Sequence, residues 1–228
     1  MQRLDDQGTL LRPAPSAILS ATRVVAVLRA SHASEYAPII EALQLGDVRS
    51  IELTLSTPGV WDELPRLQER FGDTLEIGVG TVTTAAEAET ALDLGAAYIV
   101  TPVTTPDIIS ACVRRGVAVY PGGLTPTELH AGWKLGATAV KVFPASTVGA
   151  GYVSQLRGPF PDIQVIPSGG VDIDDVPAWM RAGALAVSLG GPLLGDAFKG
   201  GDLQELTARA RRVRDLVNQT AAELGAAR

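Results

Sequence analysis

Two charged residues stand inside short apolar stretches of the sequence, where they could carry out chemistry. Lys141 lies in Ala139-Val-Lys-Val-Phe143, and Glu52 lies in Ser50-Ile-Glu-Leu-Thr-Leu55. An ammonium with apolar neighbours must be paired or must lose its proton, and the neutral amine is the form that attacks a carbonyl to give an imine. A carboxylate nearby can move protons near neutral pH. The two residues therefore indicate Schiff-base chemistry, with Lys141 as the nucleophile and Glu52 as the acid and base.

A structural role explains the same two residues without any reaction. Lys141 could close an internal ion pair, with Glu52 as the counter-ion of Lys141 or of Arg29. The other two lysines, Lys134 and Lys199, fall in a helical stretch and in a Gly-rich loop. Both interpretations stay open at this point, because a glutamate that transfers protons must also lie near the lysine it serves.

The elements that would position these residues alternate between short apolar runs and longer stretches of helical period. This alternation is typical of parallel βαβ units, and it occurs eight times. The predicted strands cover residues 24–28, 50–55, 75–79, 97–101, 117–120, 139–143, 164–167 and 186–189. A short helix over 14–21 precedes them and a long helix over 202–224 follows. The sequence therefore predicts an α/β fold, a (β/α)8 TIM barrel with a short N-terminal extra helix, as a single domain over residues 1–228.

Glycines and a threonine follow several of the predicted strands. In such a barrel, the carboxyl ends of the strands and the loops after them carry the active site. Gly169-Gly170 and Gly190-Gly191 follow strands seven and eight, where backbone N–H groups commonly bind a phosphate, although tight turns are the alternative. Gly78-Val-Gly-Thr81 is interpreted as a cradle for a small carboxylate, or as a turn in which Thr81 caps a helix. Pro102 would form a pocket wall or a loop stop.

The composition argues against several classes of function. The net charge is −6 and no run interleaves basic with aromatic residues, so no nucleic-acid or membrane partner is expected. The single Cys112 and the two histidines supply neither a disulfide nor a metal site, and no cofactor is expected. Asp5 and Asp6 near the start, and the lack of a long apolar run, argue against a targeting or membrane segment. We expect a cytoplasmic protein that binds a small molecule.

Taken together, the motifs resemble those of a known family, the 2-keto-3-deoxy-6-phosphogluconate (KDPG) / 4-hydroxy-2-oxoglutarate (KHG) aldolases. The matching segments follow the order and spacing of the family through most of the chain. They are Val24-Val-Ala-Val-Leu-Arg29, Ile51-Glu-Leu-Thr-Leu55, Gly78-Val-Gly-Thr-Val82, Ile99-Val-Thr-Pro102, Lys141-Val-Phe-Pro-Ala145, Gly158-Pro-Phe-Pro161 and Ser168-Gly-Gly-Val171.

The resemblance implies a homotrimeric class I aldolase that works without a metal. Such an enzyme cleaves a KDPG-type keto acid to pyruvate and glyceraldehyde 3-phosphate, and 4-hydroxy-2-oxoglutarate to pyruvate and glyoxylate. It implies that Lys141 forms the Schiff base and that Glu52 transfers protons. The substrate-binding residues that it implies are Arg29, Ser56, Thr81, Pro102, Phe143 and Ser168. The phosphate-binding residues that it implies are Gly169, Gly170, Gly190 and Gly191.

Three residues depart from the family's pattern. Ser56 stands where many members have an Arg that binds the keto acid's carboxylate, so Thr81, backbone N–H groups or Arg29 would take over. Relatives that act on the galactonate epimer also lack that Arg, whereas Ser168 keeps the hydroxyl of the gluconate-type Thr. Gly191 replaces a Ser that often helps to bind phosphate, which predicts a weaker site.

Three alternatives to a KDPG aldolase follow from these observations. The first is a 2-keto-3-deoxy-6-phosphogalactonate aldolase. The second is a phosphate-binding barrel isomerase or synthase without Schiff-base chemistry. The third is a barrel that binds a sugar acid without turnover, which would gain nothing from burying both Lys141 and Glu52.

Overall fold

The computed structural model describes residues 12–226, in which parallel strands close into a barrel. The strands are β1 (Val24–Leu28), β2 (Ser50–Thr54), β3 (Glu76–Gly80), β4 (Tyr98–Val100), β5 (Ala118–Tyr120, continued by Gly122–Gly123), β6 (Val140–Val142), β7 (Val165–Pro167) and β8 (Val187–Leu189). The first five strands and β8 form one sheet, while Gly122–Gly123, β6 and β7 form another. A bridge between Ser168 and Ser188 joins β7 to β8 and closes the ring. The predicted (β/α)8 barrel is confirmed.

The fifth strand is interrupted at Pro121, which has no N–H to donate to a neighbouring strand. Its carbonyl still accepts a hydrogen bond from the backbone N–H of Lys141 at 2.8 Å. The two halves of β5 therefore belong to one strand, whose first half pairs with β4 and whose second half pairs with β6.

Helices surround this barrel in the described residues. They are α1 (Ala17–Thr22), α2 (Tyr36–Leu45), α3 (Val60–Phe71), α4 (Ala85–Asp93), α5 (Pro106–Arg115), α6 (Pro126–Lys134), α7 (Gly151–Arg157), α8 (Val176–Arg181), α9 (Gly191–Leu194) and α10 (Leu203–Ala226). The predicted N-terminal helix is α1, which begins after Ser16 because the Ser16 hydroxyl accepts a hydrogen bond from the Leu19 N–H. The predicted last helix is α10. The extent of the single domain stays a prediction, since residues 1–11 and 227–228 lie outside the described residues.

Aliphatic side chains fill the space between the strands and the helices, and a second cluster fills the barrel. All five residues of β2 and of β3 are buried, as expected for parallel strands covered on both faces. Leu19 of α1 packs against the second cluster, which includes Val25, Tyr98 and Tyr120. The short helix α1 therefore closes the amino end of the barrel.

Within residues 12–226, no helix combines the length and the apolar character needed to cross a membrane. The same residues contain no group of three or more His, Cys, Asp or Glu side chains arranged to hold a metal ion. The prediction made from Asp5 and Asp6, that no targeting segment begins the chain, concerns residues outside the described range.

A carboxyl group is buried at the amino end of the barrel, at the opposite end of β3 from Gly80. Glu76 is 7 % exposed, and its Oε1 has no hydrogen-bond partner among the described residues. Burial raises the pKa of this carboxyl above its ordinary value, and the polar hydroxyl groups of Ser16 and Ser50 nearby oppose that rise only in part. Glu76 is therefore more easily kept neutral than an exposed glutamate.

Replacing Glu76 with Gln should reduce the loss of stability at higher pH. Because the pKa is raised in the folded state, the protonated Glu76 carboxyl group favours folding. This contribution to the free energy of unfolding is complete below the unfolded pKa, near 4.5, and is lost as pH rises through the folded pKa. An amide does not titrate, so the substituted chain should lack this contribution. Urea unfolding at pH 5 and pH 8 would measure the free energy of unfolding, with the exposed Glu69→Gln as control. Equal pH dependence in Glu76→Gln and the parent chain would contradict the prediction.

Candidate active site

A cavity of about 440 Å³ opens at the carboxyl ends of the strands. Every site residue predicted from the sequence lines this cavity except Ser56. Lys141 reaches it from β6 and Glu52 from β2, while Gly169-Gly170 and Gly190-Gly191 follow β7 and β8. Residues far apart in the sequence meet here because all the strands are parallel and their carboxyl ends share one side of the barrel.

Lys141 and Glu52 meet inside the barrel. The Lys141 Nζ lies 4.0 Å from the Glu52 Oε1, and the two side chains are only 10 % and 2 % exposed. The Nζ also lies 5.3 Å from the centre of the Phe143 ring. At this distance a proton can pass between the two groups through one water, and direct transfer requires an approach to about 3 Å. The arrangement satisfies the ion-pair interpretation and also supplies an amine with an acid/base partner.

The glycines of Gly78-Val-Gly-Thr81 make room for Glu52 of the site and for Tyr98 of the barrel interior. A Cβ atom on Gly80 would lie 1.9 Å from the Glu52 Oε1, and one on Gly78 would lie 2.3 Å from the ring of Tyr98. The Glu52 carboxyl group therefore lies directly over Gly80. Thr81 lines the cavity with a positive φ of 59°. The alternative in which Thr81 caps a helix is wrong, because Thr84 caps α4.

Replacing Gly80 with Ala should slow cleavage roughly 10²-fold, the loss expected when a catalytic group is displaced by about 1 Å. The new methyl group would occupy the present position of the Glu52 carboxyl group, which would have to move away from Lys141. Steady-state kinetics would measure the loss. Gly151→Ala is the matched control, because no atom lies within 4 Å of the Cβ that it adds. An unchanged kcat in a folded Gly80→Ala enzyme would show that the carboxyl position does not matter.

The two glycine turns leave backbone donors free beside the cavity. Gly169 and Gly170 both have positive φ values, 83° and 72°, so the turn favours glycine at both positions. Among the described residues, the N–H groups of Gly169, Gly170, Gly190 and Gly191 donate to no backbone carbonyl. Consecutive free N–H groups in turns of this kind form concave sites for anions. The turns can therefore hold a phosphate or a carboxylate.

Ser168 and Ser56 differ in where the structure places them. Ser168 is 4 % exposed, lines the cavity, and donates a hydrogen bond to the Ser188 Oγ at 3.3 Å. Ser56 is exposed in the turn after β2, outside the cavity, and its hydroxyl donates to the Thr54 Oγ1 at 3.2 Å. The structure therefore brings Thr54, the last residue of β2, to the cavity and leaves Ser56 outside it.

Arg29 and Pro102 complete the predicted lining. Arg29 follows β1 at the cavity and is exposed, so its guanidinium is accessible to a substrate carboxylate. Pro102 follows β4, and its carbonyl lies so close to Gly122 that a Cβ there would be 2.4 Å from the oxygen. Pro102 therefore forms a cavity wall packed directly on β5.

Sequence reasoning missed several lining residues on the loop after β8. The most informative is Lys199, which belongs to a Gly-rich loop in the sequence and lines the same cavity as Lys141. The available signal was its place in the chain, since it follows β8, one of the two strands after which a phosphate site is predicted. Phe198, next to Lys199, and Pro192 of the short helix α9 also line the cavity.

Comparisons with known proteins show which family this chain is similar to. A family model described as KDPG and KHG aldolase matches residues 16–209. The 2-dehydro-3-deoxy-phosphogluconate aldolase of Pseudoalteromonas atlantica is 31 % identical, over 86 % of this chain and 91 % of its own. The 2-dehydro-3-deoxy-6-phosphogalactonate aldolase of Escherichia coli is 30 % identical, over 82 % of this chain and 89 % of its own.

A solved structure adds a chemical observation. The KDPG aldolase of Legionella pneumophila, with pyruvate captured as a covalent carbinolamine intermediate, superposes with a TM-score of 0.77 at 26 % identity. The similarity covers 86 % of this chain and 96 % of the Legionella chain. In that protein, pyruvate therefore forms a covalent adduct within the same fold.

Proposed function

Because this chain belongs to the KDPG and KHG aldolase family, we propose that it is a Schiff-base aldolase in which Lys141 is the nucleophile and Glu52 the acid and base. The observation that carries this assignment is the 4.0 Å approach of the Lys141 Nζ to the Glu52 Oε1 inside a cavity at the carboxyl ends of the strands. A strand lysine in such a cavity is placed to attack a carbonyl, and the carboxyl group is placed to move the protons.

The reaction begins when the neutral Lys141 amine attacks the C2 carbonyl of the keto acid. The resulting carbinolamine takes up one proton from solvent and loses its hydroxyl group as water, which leaves a protonated imine that withdraws electrons from C3. Glu52 then removes the proton of the C4 hydroxyl, the C3–C4 bond breaks, and its electron pair moves into the imine to form an enamine. The aldehyde leaves, Glu52 returns a proton to C3, and water releases pyruvate and the free amine. The steps balance with no cofactor.

The substrate that we propose is a six-carbon 2-keto-3-deoxy acid with a 6-phosphate, with 4-hydroxy-2-oxoglutarate as a poorer substrate. The free N–H groups of the two glycine turns support a phosphate at the β7 and β8 side of the cavity. We assign the gluconate epimer because Ser168 keeps a hydroxyl in the cavity. The galactonate epimer is the second candidate, supported by the absence of an Arg at position 56 and by the similarity to the galactonate enzyme.

A substrate panel tests this assignment. Pyruvate release would be followed with both phosphorylated epimers and with 4-hydroxy-2-oxoglutarate. The proposal predicts the highest kcat/KM for the phosphorylated gluconate epimer. A higher value for the galactonate epimer would reassign the substrate, and no pyruvate from any of the three would contradict the aldolase.

A homotrimer in the cytoplasm completes the proposal. The trimer is supported by Val103 and Leu45, large apolar side chains that are exposed on the isolated chain. The cytoplasm is supported by the single Cys112, which is a buried free thiol. A partner subunit would cover exposed apolar side chains of this kind. Sedimentation equilibrium would test the assembly, and a mass of one chain would contradict the trimer.

A further inference from the structure

We propose that Lys199 is the residue that makes this chain prefer a phosphorylated substrate, in place of the hydroxyl that position 191 lacks. The inference rests on the proposed aldolase function and assigns a role to a residue of this chain that the family motifs do not include. It begins from the cavity, which Lys199 lines from the loop after β8 while Lys141 lines it from β6.

The backbone that carries Lys199 is held firmly. Lys199 ends a 3-10 turn, Ala197–Lys199, in which its N–H donates to the Asp196 carbonyl at 2.7 Å. Ala197 is buried, and the Phe198 ring packs edge-on against the ring of Tyr36 with 6.0 Å between centres. The Lys199 side chain is therefore exposed on a backbone whose position is fixed by its neighbours.

The turn after β8 is poor in neutral donors for an anion. Gly191 has no side chain, and no atom lies within 4 Å of where its Cβ would be, so that position is open space. The next residue is Pro192, which also lines the cavity and has no N–H. Only the Gly190 and Gly191 N–H groups can donate from this turn. Beside the four N–H groups of the two glycine turns, a lysine adds a charged donor, which forms stronger hydrogen bonds to an anion than a neutral donor does.

The charges around the cavity also indicate that Lys199 binds an anion. Its lining has three cations, Arg29, Lys141 and Lys199, and one carboxylate, Glu52. Glu52 is paired with Lys141, whereas neither Arg29 nor Lys199 forms an ion pair within residues 12–226. In a chain of net charge −6, two free cations at one cavity favour a substrate with anionic groups at both ends.

Arg29 and Lys199 lie on neighbouring parts of the barrel but have different roles. Arg29 directly follows β1, which pairs with β8, and a fork-shaped guanidinium suits the carboxylate that every 2-keto acid carries. Lys199 is reached only through the loop after β8, on the side of the glycine turns. Loss of Arg29 should therefore weaken all substrates equally, whereas loss of Lys199 should weaken only phosphorylated ones.

Kinetics on paired substrates tests the role of Lys199. We would measure kcat/KM for the six-carbon keto acid with and without its 6-phosphate in Lys199→Ala, Lys199→Arg and Lys134→Ala. One lost charged hydrogen bond predicts that the preference for the phosphorylated acid falls roughly tenfold in Lys199→Ala, mainly through KM. Lys199→Arg should keep most of the preference. Lys134→Ala removes the same charge from the end of α6 and should change nothing.

A binding measurement keeps this test separate from the aldolase proposal. Titration calorimetry with inorganic phosphate needs no turnover, and it should show a Kd about tenfold higher for Lys199→Ala than for the parent. An unchanged preference and an unchanged phosphate Kd in Lys199→Ala, or an equal loss in Lys134→Ala, would overturn the role of Lys199. Failure of the aldolase proposal would appear elsewhere, as the absence of pyruvate trapping at Lys141 in the parent chain.

Discussion

Replacing Lys141 with Arg is expected to abolish cleavage of the keto acid while leaving the chain folded. A guanidinium stays protonated in proteins, so it keeps the positive charge beside Glu52 but cannot form an imine. The ion pair at 4.0 Å would survive in modified form, and the barrel would not be left with an unpaired buried carboxylate. Pyruvate release would therefore fall to the background rate, while circular dichroism and the melting temperature would stay close to those of the parent.

Lys134→Arg is the matched control, because it makes the same change at an exposed position on α6. It should leave kcat and KM unchanged. Near-normal turnover by Lys141→Arg would leave Lys141 only its role as the partner of Glu52.

Replacing Glu52 with Gln should lower the rate of cleavage by roughly 10²–10⁴-fold, the contribution of a well-placed acid or base. The amide has nearly the same shape, so it can still lie over Gly80, but it cannot accept the C4 hydroxyl proton or return one to C3. The imine itself should still form with pyruvate, since Lys141 remains. Steady-state kcat, together with trapping of pyruvate, would separate the proton-transfer role from the nucleophile.

The control for Glu52→Gln is Glu76→Gln, which changes a second buried carboxyl inside the same barrel. Glu76 lies at the amino end of β3, away from the cavity, so its replacement should affect stability and leave the rate unchanged. An unfolded Glu52→Gln protein would favour a structural counter-ion role for Glu52.

Most of the fold was predictable because the strands are short apolar runs separated by helical stretches. Their ends were harder to place, because register with a neighbour, rather than local composition, decides where a strand stops. Gly80 belongs to β3 although glycine disfavours strands, since it pairs with Thr54 of β2. Residue 139 lies outside β6 although it is apolar. The family resemblance is confirmed by the match over residues 16–209.

The site was predictable where a charged residue has apolar neighbours in the sequence. Lys141 and Glu52 both lie inside apolar strands, and this unusual position is visible in the sequence. Loop residues carry no such signal, because the direction of a loop side chain depends on contacts that are distant in the sequence. Ser56 lies outside the cavity, whereas Lys199 lines it through a turn anchored by Phe198 on Tyr36. The role of Gly80 has no signal in the sequence either, since it depends on where the Glu52 carboxyl group lies.

Reductive trapping tests the Schiff-base chemistry most directly. The protein would be incubated with pyruvate and borohydride, digested, and analysed by mass spectrometry to locate the modified residue. We expect one reduced pyruvyl group per chain, attached to Lys141, because that is the lysine buried beside Glu52 in the cavity. Attachment to Lys134 or Lys199 instead, or no attachment at all, would contradict the proposed mechanism.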